Sequence, residues 1–259
     1  GLQVWGWHYV KGNDPGGEAR IAVQRTRQLR LDGYVIDAEV EYKAPGKAAA
    51  ARAFMDELRA GLPNLPVALS SFRYPSFHKE FPWREFLERC DLNMPQVYWE
   101  QAHNPDVQLA RSVSEFTDTS LVGFVRPVVP TGSAYGTGGW RATPDDLRVF
   151  FQKAQELGLD AANAYSWDWA ASPGNTDLWD AVAQVNWTVE TPQMPGRDIV
   201  GDYFTALNAK DLDALIALYH SNAAHVTARR TLVGTEAIRD YYGDLLTNRL
   251  PDAAFFTQA

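Results

Sequence analysis

Apolar runs rich in β-branched and aromatic residues alternate with amphipathic segments all the way from residue 3 to residue 186. The runs cover residues 3–10 (QVWGWHYV), 33–39 (GYVIDAE), 66–71 (PVALSS), 93–99 (NMPQVYW), 121–129 (LVGFVRPVV) and 160–166 (DAANAYS). Helical periodicity falls between them, over residues 18–30, 47–60, 83–90, 105–116, 144–157 and 176–185. The helix opening after Thr143 is the best marked, with Pro144 at its first position, Asp145 and Asp146 in the first turn and Gly158 behind it. Strand and helix alternating at intervals of roughly 30 residues predict a parallel sheet with helical crossovers.

Two architectures share that rhythm, and the loops choose between them. No GxGxxG turn and no phosphate loop ending in Gly-Lys-Ser/Thr follows any strand, which disfavours a nucleotide-binding doubly wound sheet. Polar and aromatic residues instead gather just behind strand after strand: Tyr9, then Asp37 and Glu39, Arg73 and Tyr74, Tyr98 and Glu100, Trp167 and Asp168. A barrel brings all strand ends onto one face, where an open sheet would spread them along an edge. The predicted fold class is therefore α/β, a TIM-type (β/α)8 barrel. Six strands are legible where a closed barrel has eight, so the expectation is that about two strand–helix units precede Gly1 and that residues 33–39 form the fourth strand. The predicted domains are 1–186 for the barrel, 187–197 for a linker broken by Pro192 and Pro195, and 198–259 for a second domain.

Asp37 and Glu39 close a buried strand at spacing i, i+2, so both side chains leave the same face. Two like charges held side by side in an apolar setting are costly unless one retains a proton, which is how paired carboxylates do acid and base work. Their Cα atoms should lie about 6.5–7 Å apart, a spacing that leaves retaining and inverting glycoside hydrolysis both open. Glu100 is a candidate nucleophile or base, Asp168 a candidate for fixing a sugar hydroxyl, and Tyr98 and Arg73 candidates for binding near the reacting bond. Aromatic residues make up 12% of the chain, with nine Trp, and Trp5, Trp7, Trp99, Trp167 and Trp169 sit next to strand ends where sugar rings could stack on them, with Tyr9 a further substrate-binding candidate.

Composition removes other classes. With a net charge of −8 and no cluster of Lys and Arg, nucleic acid is not an expected partner. No apolar run reaches the roughly 18 residues of a membrane span. Cys90 is the sole cysteine, and His8, His78, His103, His220 and His225 show no paired ligand spacing, so neither a metal nor a cofactor is expected.

Asp37-Ala38-Glu39 resembles the Asp-x-Glu signature of the family 25 lysozymes, which falls on the fourth strand of a glycoside-hydrolase barrel. That resemblance implies Glu39 as general acid and Asp37 as the residue assisting the substrate, in an extracellular or cell-envelope hydrolase of an N-acetylated glycan such as peptidoglycan. The family also has an acidic residue on its first strand, a region this chain does not contain. The alternative is a non-catalytic glycan-binding or scaffold protein with a degenerate barrel site. Farther on, Tyr203-Phe204, Ala206-Leu207-Asn208, Asp211-Leu212, Leu218-Tyr219 and the run from Gly234 to Tyr242 resemble the SnoaL-like branch of the nuclear-transport-factor-2-like superfamily. That resemblance implies an α+β cone, here cut short at its C-terminus, with His220, His225 and Asp240 as candidate site residues. Apolar surface left on an incomplete cone would favour self-association.

Overall fold

A computed structural model of the chain describes residues 2–187, 199–219, 223–226 and 231–250. The chain divides into two compact units, Gly1–Val189 and Glu190–Ala259. The expected linker residues 188–197, His220 and an expected strand start at 254–257 lie outside the described residues.

The first unit runs β1 (Trp5–Val10), α1 (Pro15–Leu29), β2 (Gly33–Ala38), α2 (Lys47–Gly61), β3 (Val67–Phe72), α3 (Trp83–Leu87), β4 (Leu92–Gln96), α4 (Pro105–Phe116), α5 (Thr119–Val122) and β5 (Thr131–Ser133). A small hairpin follows, β6 (Gly136–Thr137) with β7 (Trp140–Arg141), and then α6 (Pro144–Glu156), β8 (Asn163–Tyr165), α7 (Trp167–Ala170) and α8 (Thr176–Ala183). The main sheet has six strands in the order β1-β2-β3-β4-β5-β8, every pairing parallel. Each strand lies beside the next main-sheet strand in the chain, so the winding never reverses. The sheet curls as a half-barrel. Consistent winding also puts every strand's C-terminal end on one side.

Alternation along β2 sorts its side chains. Tyr34, Ile36 and Ala38 are buried in the core with Phe54, Leu58 and Leu69, while Asp37 is only half-buried and faces the other way. A second cluster gathers Trp99, Leu109, Phe150 and Leu178 under α4, α6 and α8. Gly33 begins β2 for a steric reason: a Cβ there would lie 2.2 Å from the Trp5 ring across the β1–β2 register. Helix α6 is capped as its sequence predicts, with Thr143 Oγ1 accepting from Asp146 N at 3.1 Å and Asp146 Oδ2 accepting from Thr143 N at 2.8 Å.

The loop after β1 is held from both sides. The Glu18 carboxylate accepts from the backbone N–H groups of Lys11, Gly12 and Asn13 at 3.2, 2.9 and 3.4 Å. Lys47 Nζ donates to the carbonyls of Lys11 and Gly12 at 2.7 and 2.8 Å, and to Asn13 Oδ1 at 3.0 Å.

Two expected strands move. The run 121–129 is not a strand: it starts in α5 and meets the sheet only at an Asn93–Val128 bridge, with β5 beginning at Thr131. Pro127 and Pro130 supply no N–H, so a ladder cannot be sustained across them. The run 93–99 ends early, at Gln96, with Val97 N–H shared between Thr131 O at 2.9 Å and Pro95 O at 3.0 Å.

The second unit comprises α9 (Ile199–Ala209), α10 (Leu212–Ile216), an antiparallel hairpin of β9 (Ala224–Val226) with β10 (Thr231–Val233), and α11 (Thr235–Asp244). Leu207, Leu215, Ile238 and Tyr242 form its buried core. No helix among the described residues is long and apolar enough to cross a membrane.

Candidate active site

A cavity of about 280 Å³ opens on the face of the sheet opposite to the helix-packed core. Strand alternation lines it: Trp7 from β1, Val35, Asp37 and Glu39 from β2 and its end, Ser70 from β3, and Met94, Gln96 and Tyr98 from β4 and its extension. Thr131, Asn163 and Tyr165 complete the far wall. Its size is at the lower edge of that of small-molecule sites.

Asp37 and Glu39 meet in this cavity. They share a side-chain hydrogen bond, and Gln96 Nε2 donates to Asp37 Oδ1 at 3.1 Å and to Glu39 Oε1 at 3.0 Å. Burial first, and the neighbouring Glu39 second, push the Asp37 carboxyl up to about 7. The Asp37 carboxyl thus keeps its proton to a higher pH than an ordinary carboxylate. Glu39 stands just past the strand, where Ser71 Oγ donates to the adjoining Ala38 O at 2.6 Å and anchors the strand end. Burial, reinforced by Asp37, holds the Tyr98 phenol well above its usual range, so it stays a hydrogen-bond donor. Tyr98 and Tyr165 have ring centroids 6.1 Å apart, and Trp7 is 60% exposed at the opening.

Of the site residues expected in the first unit, Trp7, Asp37, Glu39 and Tyr98 line the cavity, and the others do not. Trp99 is fully buried and packs against Phe150 with centroids 5.3 Å apart, so it is a core residue and not a stacking platform. Its parity explains this, because position 99 points opposite to 94, 96 and 98. Arg73 is engaged by the Tyr98 carbonyl and by Gln108 Oε1, holding the segment after β4 in place. Tyr9 donates to Glu41 at 2.5 Å, and Glu100 is an exposed acceptor of the Tyr135 hydroxyl. Trp167 and Asp168 lie on α7, both exposed, and hydrogen bonding within α7's first turn, led by Ser166, lowers the Asp168 pKa. Gln96, Ser70, Asn163 and Tyr165 line the cavity without having been expected. Gln96 stands two residues before Tyr98 and shares its face.

The SnoaL-like domain model matches residues 200–259. No curated protein sequence matches the chain. Among solved structures, a chitinase from Chromobacterium violaceum matches at 12% identity and a TM-score of 0.49, covering 64% of this chain and 71% of that one. A class V chitinase from Pseudomonas fluorescens matches at 12% identity and a TM-score of 0.48, covering 67% and 73%. Bee venom hyaluronidase matches at 11% identity and a TM-score of 0.42, covering 70% and 84%. These neighbours are glycoside hydrolases, and likeness at this level does not extend to chemistry.

Proposed function

We propose that the first unit hydrolyses a polysaccharide, of the N-acetylated class to which peptidoglycan belongs, with Glu39 as general acid and Asp37 as its assisting carboxylate. One observation carries this reading: two carboxyl groups bridged by one amide line an aromatic-walled cavity at the C-terminal end of a parallel strand. A proton resting on Asp37 reaches Glu39 across the hydrogen bond between them. Glu39, one step further along the strand direction, then delivers it to the leaving glycosidic oxygen. Tyr98 donates to charge developing on the sugar, and Trp7 and Tyr165 supply stacking faces. The Asp-x-Glu resemblance supports the same assignment of roles.

Glu39→Gln is the test. With chitin oligosaccharides and peptidoglycan as substrates, the variant should lose at least 10²-fold in kcat while still binding the glycan. Binding by both proteins with no turnover by either would instead assign the unit as a glycan-binding module.

A further inference from the structure

Gln96 reaches the two acids from a strand that is not their neighbour. It stands on β4, and its amide passes over β3, where Ser70 Oγ lies 3.2 Å from the same nitrogen. One –NH2 group carries two protons for three acceptors, and the two carboxylate oxygens, at 3.1 and 3.0 Å, stand nearer than the Ser70 hydroxyl. The residue type matters here. A Lys or Arg in this place would hold both acids ionised and strip the pair of its proton. An apolar side chain would leave two carboxyls in a half-buried setting without a donor. An amide donates twice and never titrates.

The other titratable groups around the pair do not substitute for it. Tyr9 is on β1 and its partner Glu41 in the turn after β2, Tyr34 is on β2 with its side chain on the opposite, core face, Tyr98 and Glu100 follow β4, and Tyr165 comes from β8. All of them are acids or phenols. Lys11 and Lys47 act on Glu41. Of the influences acting on Asp37, the Gln96 hydrogen bond is the one that favours its ionised form.

We propose that Gln96 is the positioning residue of the carboxylate pair, holding Asp37 and Glu39 to one side of the cavity by donating to both. Its consequence for turnover rests on the hydrolase reading, and its effect on the acids does not.

The experiment therefore has a readout that needs no substrate. Carboxyl carbons of the full chain are titrated by NMR in the wild type and in Gln96→Met, beside pH profiles of hydrolysis on chitin oligosaccharides. Loss of a hydrogen bond to an ionised group should raise the Asp37 midpoint by about one pH unit. The pH–rate profile should move up by the same amount, with kcat falling and KM nearly unchanged. A merely structural role would lower the rate at every pH and leave the profile in place. A folded Gln96→Met with an unmoved midpoint overturns the proposal. If that variant does not fold by circular dichroism, Gln96→Leu, which also removes the donor and adds no charge, takes its place; a raised Asp37 midpoint supports the proposal, and an unmoved one ends it. Should the wild type hydrolyse nothing while the midpoint still shifts, the hydrolase reading fails and the role of Gln96 stands.

Discussion

Asp37 ties the cavity to stability through its proton. Its carboxyl is raised from 3.8 to about 7 in the folded chain. Below about 4 the folded and unfolded states both hold the proton; between 4 and 7 only the folded state does. The associated stability is therefore complete at low pH and is lost as pH rises through about 7. Discounted for the partial exposure of the group, the loss is about 2 kcal/mol. Asp37→Asn should make the first unit more stable than wild type at pH 8 by about that amount, with the gap closing at pH 4, in urea titrations at the two pH values. A gap of equal size at both would show that the side chain, and not its charge, sets the difference. Asp37 and Glu39 were legible in the sequence because two adjacent-facing acids at the end of an apolar run are costly and thus conspicuous. Gln96 is not conspicuous. A neutral amide in a strand is ordinary, and only the lateral order of strands, two steps from β2 to β4, reveals what it touches.

At the level of elements, helices with chemical end signals are the most readable. Thr143, Pro144 and Asp146 mark the start of α6, and the structure satisfies both halves of the box. Strands read less well because an apolar run carries no end marker of its own. Residues 121–129 have a strand's composition, but they yield their place to Thr131–Ser133, a segment whose Thr-Gly-Ser sequence looks like a turn. Gly132 on that segment lies where any Cβ would meet the Phe150 ring at 2.8 Å, a tertiary demand invisible to periodicity. Gly33 is governed by the same kind of demand. Gly33→Ala should cost about 1–3 kcal/mol by overpacking against Trp5. Thermal unfolding measures that cost, and the additional change Trp5→Leu should recover part of it if the clash is the cause.

On the scale of the whole molecule, the chain divides into two units with separate buried cores. The consistently wound six-stranded sheet follows from the strand–helix rhythm, which dictates parallel pairing. The length of individual strands does not follow from it, because hydrogen-bond ladders are completed by neighbours distant in the chain. The second unit has a small core in which Leu215 is fully buried. Leu215→Ala should therefore cost about 2–5 kcal/mol there, read by hydrogen exchange of the amides of α10 and α11. An effect below 0.5 kcal/mol would mean that the core closes around the lost methyl groups.

The clasped turn at Lys11–Asn13 has a consequence for anything that enters from the strand-end side. A carboxylate gathers its amides and an ammonium gathers its carbonyls, so this stretch of rim is already set before a visitor arrives. A guest touching it forfeits no freedom of the host chain there, and whatever selectivity the rim exerts is that of a fixed template and not of a closing hand.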